Sequence, residues 1–262
     1  MSQYEFLEFV EDGPIARINL NRPAQANALD LPLAKELVAA TAACKESSTV
    51  RAVILTGNGK LFCAGGDLGS MANAEGPVDK HLKELADTCH VAYTNILTMR
   101  APVVMAVNGA AAGIGFGLSM VGDITLASDQ SSFLLAYTAA GLSPDGGTSK
   151  ILPLVVGLKR AKELAILNRK LSAEEALEWG IVNQIVPADE LLAAAEKMAS
   201  RLASGPTNAF GSVKTLMLDA LTQSLNETMD AESVTIAANA MSPDGTEGID
   251  AFMNKRKPEY KG

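Results

Sequence analysis

"APVVMAVNGAAAGIGFGLSMVG", residues 101–122, carries no charge anywhere along its length. By length alone it could cross a bilayer as a helix. Its punctuation says otherwise: Pro102, Asn108 and five glycines interrupt it, and few large aliphatic side chains lie in its centre. Read in pieces, it is a buried strand over 101–109, a glycine loop, and a helix start over 113–121. That reading predicts an α/β protein and no membrane partner.

The flanks follow the same grammar. "YEFLEFVEDGPIARINLNRP", residues 4–23, alternates on either side of Asp12-Gly13 and predicts a hairpin. Helical spacing starts after Asp30, a good N-cap, with Pro32 in the first turn. "VRAVILTGNG", 50–59, is a continuous apolar run and so a strand buried on both faces. A long helix is expected over 79–99, and strands in "DITLAS", "SSFLLAY" and "IVNQIVP". A helix interrupted near Pro153 is expected in 145–157, and a Ser172-capped helix ending at Gly180. From about Asp189 the pattern is helical throughout. The expected organisation is a core over 1–190 and a helical region over 191–262.

With 48% hydrophobic and 20% charged residues, the 262-residue chain has a soluble globular balance and enough length for a large core. A net charge of −8 argues against nucleic acid or an anionic membrane as a partner. Cys44, Cys63 and Cys89 have no paired spacing and read as reduced thiols, which predicts a cytoplasmic location. The N-terminus lacks the basic and apolar regions of a signal peptide. His81 and His90 stand outside any metal-binding motif, so no metal is expected.

Two segments carry chemistry. "FCAGGDL", 62–68, and "NGAAAGIGFGLSM", 108–120, each follow a buried strand and open a helix. Backbone N–H groups at such junctions lack partners, and small residues let a ligand oxygen approach them. Two facing loops would form an oxyanion hole. Close helix packing is the plainer reading of either loop alone. A dinucleotide site is disfavoured, since Gly113-Ile114-Gly115-Phe116-Gly117 lacks the GxGxxG spacing.

Together with "NRPAQANAL" (21–29), "GDITLAS", "GLSPDGGTSKILPLVVG" (141–157), "SAEEALEWGIVNQIVP" and the terminal "EGIDAFMNKRKPEYKG", these segments resemble the crotonase, or enoyl-CoA hydratase/isomerase, superfamily over essentially the whole chain. The resemblance implies a spiral of ββα turns, a C-terminal trimerisation region, and trimers or dimers of trimers. It implies acyl-CoA thioester substrates, CoA entering with the substrate and no further cofactor. The enolate oxygen would be held by the backbone N–H groups of Ala64 and Ile114, the latter standing where members usually carry glycine. CoA contacts would fall on Ala24, Ala26, Ala28, Ala64, Gly66, Asp67 and Leu68, with Arg22 able to meet a phosphate. Phe252 and Lys255 resemble the pair that reaches a neighbouring subunit's CoA.

The two glutamates of the hydratases would fall at positions 117 and 137, which here are Gly117 and Tyr137. Asp145, in "SPDGG", stands where isomerases of the family carry their base. The leading expectation is therefore conversion of 3-enoyl-CoA to 2-enoyl-CoA with Asp145 as base. The alternatives are an atypical hydratase, an aryl-CoA dehalogenase or hydrolase, and a non-catalytic CoA-binding paralogue. The dehalogenase reading needs Asp145 as nucleophile, His90 as base and Tyr137 as hydrogen-bond donor. Asp145 could also simply cap the helix after it, and His90 could be an ordinary helix residue.

Overall fold

A computed structural model describes residues 4–72 and 76–262. The hairpin forms as expected: β1 (Leu7–Asp12) pairs antiparallel with β2 (Ile15–Leu20), Asp12 facing Ile15 across a Gly13-Pro14 turn. Parallel to β2 run β3 (Ala52–Gly57), β4 (Val103–Val107), β6 (Ile124–Ser128) and β9 (Gln184–Val186), giving the order β1-β2-β3-β4-β6-β9. A second sheet holds β5 (Ala110–Ala112), β7 (Ser132–Leu134) and β8 (Leu171–Ser172).

The chain winds between the two sheets. β4 is followed by β5 and then by helix α4 (Ile114–Met120). β6 is followed by β7 and then by α5 (Thr148–Val156) and α6 (Leu158–Leu167). In the earlier turns the second strand shrinks to single bridges, Leu29 to Gly66 and Cys63 to Ala111. Those turns carry α1 (Leu31–Glu46), and α2 (Leu68–Ala72) with α3 (Val78–Thr98). This is the expected ββα spiral. The Ala110–Ala112 and Leu171–Ser172 strands were not visible in the sequence, because two or three residues show no period.

The continuous apolar runs have the expected cause. Val53, Leu55, Val103, Met105 and Val107 point into the main core with α1 and α3. Ala52, Ile54, Val104, Ala106, Leu126 and Val186 point the other way, onto α8 (Leu191–Ala203). That helix presents Leu191, Ala195, Ala199 and Ala203 at a four-residue spacing, one face of a helix. Asp30 caps α1 by accepting from the Leu33 N–H at 3.0 Å.

Two boundaries differ in particular. Of "SSFLLAY" only Ser132–Leu134 is strand, and Tyr137 opens a 3-10 turn. Pro153 lies inside α5, and the break falls at Gly157, whose φ is +80°. Proline there leaves the Ser149 carbonyl without its helical donor, and Ser149 is exposed, so water can serve it. Helix α7 (Ala173–Glu178) starts at a reciprocal Ser172–Glu175 capping box. Beyond α8 come α9 (Thr207–Asp219), α10 (Leu225–Ala240) and α11 (Pro243–Met253); no residue of α10 is buried.

The spiral turns approach closely where α4 meets the 62–66 segment. A Cβ on Gly115 would lie 2.4 Å from the Cys63 carbonyl oxygen. Gly115→Ala is expected to cost about 1–3 kcal/mol, the range for overpacking a close contact. Urea unfolding should show this as a lower midpoint at unchanged slope.

Candidate active site

The two glycine loops meet backbone to backbone. The Cys63 N–H donates to the Ala110 carbonyl at 3.2 Å, and the Ala112 N–H to the Cys63 carbonyl at 2.9 Å. Gly65, at φ +104°, lies so close that an added Cβ would sit 3.0 Å from the Ala112 oxygen and 3.6 Å from the Gly113 Cα. Only glycine combines that conformation with that approach.

Peptide directions decide which donors face the cleft. The Cys63 carbonyl points at Ala112, so the Ala64 N–H across the same trans peptide points oppositely, and it donates to the Ala26 carbonyl at 3.0 Å. Ala64 is thus already satisfied, which corrects the expectation that it supplies the donor. The Gly65 carbonyl accepts from Leu29 at 2.7 Å, and the Asp67 N–H donates back to Leu29 at 2.9 Å. The Gly66 N–H therefore points away from Leu29, and among the described residues it has no acceptor. The Ile114 N–H, at the first position of α4, has none either. Gly66 and Ile114 both line the same cleft.

That cleft has a volume of about 330 Å³. Leu82, Leu85 and Ala86 of α3 form one wall, and Leu135, Ala140 and Leu142 another. Asp145 is the sole carboxylate among its described lining residues. The Tyr137 hydroxyl, at the start of a 3-10 turn, donates a short hydrogen bond to Asp145 Oδ1. Thr148 holds the Asp145 carbonyl through its hydroxyl at 2.6 Å and its N–H at 3.1 Å.

Burial pushes the Asp145 carboxyl above the usual carboxylate range, while the hydrogen bond from Tyr137 pulls it part of the way back. Tyr137 is driven the other way to any use as a base. Burial first, then the Asp145 charge, hold its phenol far above the ordinary value, so it stays a donor. Tyr93, buried behind the site, donates to the Ile114 carbonyl at 2.6 Å and fixes the start of α4.

The position where hydratases would carry one glutamate is filled. A Cβ on Gly117 would meet Thr148 Cγ2 at 3.2 Å, the Gly146 oxygen at 3.4 Å and Tyr93 Cε2 at 3.6 Å. His90 does not line the cleft. It stands behind the Asp145 turn, its Nε2 accepting from the Gly146 N–H at 3.1 Å.

Arg22 is also placed differently from expectation. Its guanidinium is bound by Asp30 at 3.0 Å, Asp67 at 3.2 Å and the Ala28 carbonyl at 2.7 Å, with the side chain only 12% exposed. It ties the 22–30 loop to the segment bearing Gly66 and offers little to a phosphate. Asp67 is engaged with Arg22 and also accepts from the Ser70 N–H at the start of α2. Ala24 is exposed, Ala26 half-buried and Ala28 buried, and Leu68 lies at the cleft mouth. Phe252 and Lys255 are exposed at the end of α11 and do not line the cleft of their own chain. No cluster of metal ligands and no helix long and apolar enough to cross a membrane occurs among the described residues.

Sequence reasoning missed Gly66 as a donor and Tyr93 as a support. Tyr93 had a signal: it continues the buried helical face of Leu85, Cys89 and Ile96. The donor had none, since peptide direction depends on which strand each residue pairs with.

The profile of the enoyl-CoA hydratase/isomerase family matches residues 11–262. The chain is 35% identical over 257 residues to a 1,2-epoxyphenylacetyl-CoA isomerase of Escherichia coli, covering 98% of each. It is 30% identical to a 4-chlorobenzoyl coenzyme A dehalogenase of an Arthrobacter species, covering 92% of this chain and 88% of that one. An enoyl-CoA hydratase structure from Bacillus anthracis superposes with a TM-score of 0.92 at 32% identity, covering 98% and 100%.

Asp145 carries a stability signature. Its folded pKa lies above the unfolded value, so the ionised carboxylate destabilises the fold. That cost is absent below the unfolded pKa, near about 4, and complete above the folded one. Asp145→Asn is expected to raise the melting temperature at pH 7, with the gain fading as pH falls towards that value in calorimetric scans.

Proposed function

This chain belongs to the enoyl-CoA hydratase/isomerase family, and from that premise we propose that it moves the double bond of 3-enoyl-CoA thioesters to the 2-position. The observation that carries this reading is Asp145, the single carboxylate among the described residues of the cleft, on the same surface as two backbone donors that have no acceptor among those residues. Asp145 takes a proton from C2. The electron pair moves through the double bond system onto the thioester oxygen, which accepts hydrogen bonds from the Gly66 and Ile114 N–H groups. The protonated Asp145 then returns the proton to C4. No proton is gained or lost overall, and one acid suffices.

Hydration needs a second acid–base group to handle water, and the places for it hold Gly117 and a phenol that stays protonated. The dehalogenase reading has the Tyr137–Asp145 bond in its favour. Its base would be His90, whose Nε2 lone pair is engaged by Gly146. The CoA moiety is the substrate's own, and no further cofactor enters the scheme.

Assembly is part of the proposal. Val234 and Ile236 of α10 are each 71% exposed and Phe252 of α11 is 82% exposed, an apolar surface that a second and third copy would cover in a trimer or a dimer of trimers.

An acyl-CoA panel of 3-enoyl, 2-enoyl and aryl thioesters, followed by mass spectrometry and absorbance, tests the assignment. Asp145→Ala should abolish isomerisation and leave binding of the CoA ester intact; normal turnover in that variant would sink the role given to Asp145. Chloride release from an aryl substrate without isomerisation would favour the dehalogenase reading.

Tyr137 tunes the base. Its hydrogen bond lowers the Asp145 pKa, so Tyr137→Phe should raise it and move the acid limb of kcat/KM to higher pH. A limb that stays in place or moves to lower pH would rule the tuning out.

A further inference from the structure

The turn that presents Asp145 has little stiffness of its own. Gly146 and Gly147 follow it at φ +60° and +75°, two successive left-handed residues that are each free to leave that conformation. Three contacts hold the turn. Tyr137 grips the carboxylate, Thr148 grips the Asp145 carbonyl, and His90 Nε2 accepts the Gly146 N–H at 3.1 Å. The first two act within a dozen residues of chain, on the same segment. Of these bonds only that of His90 reaches α3, 56 residues away, the helix that also supplies the Leu82–Ala86 wall and packs the Tyr93 ring against Gly146.

Accepting from an amide N–H requires the Nε2 lone pair, so the ring proton sits on Nδ1 and the ring is neutral in this arrangement. Asp87, Val91, Thr94 and Asn95 of α3 line the outer groove around it, and Asp145 lies across the turn. His90 itself faces that groove and not the cleft, so it meets no reacting atom.

We infer that His90 is a positioning residue: its Nε2 registers the Asp145 carboxylate against the Gly66 and Ile114 donors by holding the Gly146 N–H to α3. The inference rests on Asp145 being the working group of the cleft, and it extends that reading to a residue outside the cleft. It also assigns His90 a role opposite to that of a base, since a lone pair given to Gly146 is not available to water. Misplacement of a reacting group by about 1 Å can cost on the order of 100-fold in rate, so a single anchoring bond is enough to matter.

The test separates the acceptor from the ring. His90→Phe keeps an aromatic ring without an acceptor, and His90→Gln offers a side-chain carbonyl. His90 is exposed, so neither change touches the core; His90→Ala serves as a second acceptor-free variant. Hydrogen-exchange mass spectrometry over the peptide containing Gly146 should show faster exchange in His90→Phe and His90→Ala, and near wild-type exchange in His90→Gln. On whichever thioester the panel shows to turn over, kcat should fall about 10- to 100-fold in the acceptor-free variants with KM little changed. His90→Gln should recover most of it. Unchanged exchange in the acceptor-free variants overturns the inference. So does a His90→Gln variant that restores protection but stays inactive, which would make the imidazole itself the reacting base. If no thioester turns over, the isomerase reading fails, and the exchange measurement still decides the anchor.

Discussion

The contact on which the site depends is the backbone approach of the 62–66 segment to the 110–115 segment. Hydrogen bonds between Cys63 and the strand Ala110–Ala112 set the register, and glycines at 65 and 115 permit the distance. Once that register is set, peptide geometry leaves no freedom in where the N–H groups point. Ala64 must face Ala26, and Gly66 must face away from Leu29. A shift of one residue in this pairing would reverse each direction. The donors are therefore a property of strand pairing, and side chains contribute only by staying small.

Around that contact the molecule stacks supports that never touch the cleft. Arg22 binds Asp30 and Asp67, joining the cap of the first long helix to the residue next to Gly66. Tyr93 reaches from the middle of α3 to the Ile114 carbonyl. These are buried or nearly buried polar groups with satisfied partners, the condition under which such bonds add rigidity instead of cost. The carboxylate is treated differently. Asp145 is kept where burial disfavours its charge, and a phenol that cannot ionise moderates the effect. In the proposed isomerisation this environment would make Asp145 more basic than a solvated carboxylate, which suits a group that takes and returns a proton.

The relation to known proteins divides along the same line. The family and its spiral hold across the whole chain, while relatives of similar identity are named for isomerisation, hydration and dehalogenation. A pair of backbone donors able to hold a thioester oxygen would be compatible with all three. In the proposed reading the reaction is selected by what stands beside that pair, here Asp145, Tyr137 and the glycine at 117, and a fold comparison does not weigh those.

Much of the architecture was legible in the order of residues. The hairpin, the two-faced strands, the long helix over α3 and the cap at Ser172 are local patterns with a period or a signature, and each appeared where expected. Asp145, Ile114, Gly66 and Leu68, which the family resemblance had placed at the site, all line one cleft. What failed to show was everything set by partners distant in sequence. The choice of Gly66 over Ala64 as donor follows from bonds to residues 26, 29 and 112. The fate of Arg22 follows from two carboxylates, and that of His90 from an amide 56 residues away. Sequence by itself determined which elements form and which residues are chemically able to act, since those depend on near neighbours and side-chain type. Tertiary structure decided which way each backbone group points and which polar side chains are already spent, because a hydrogen bond is consumed by whichever partner the fold brings within reach.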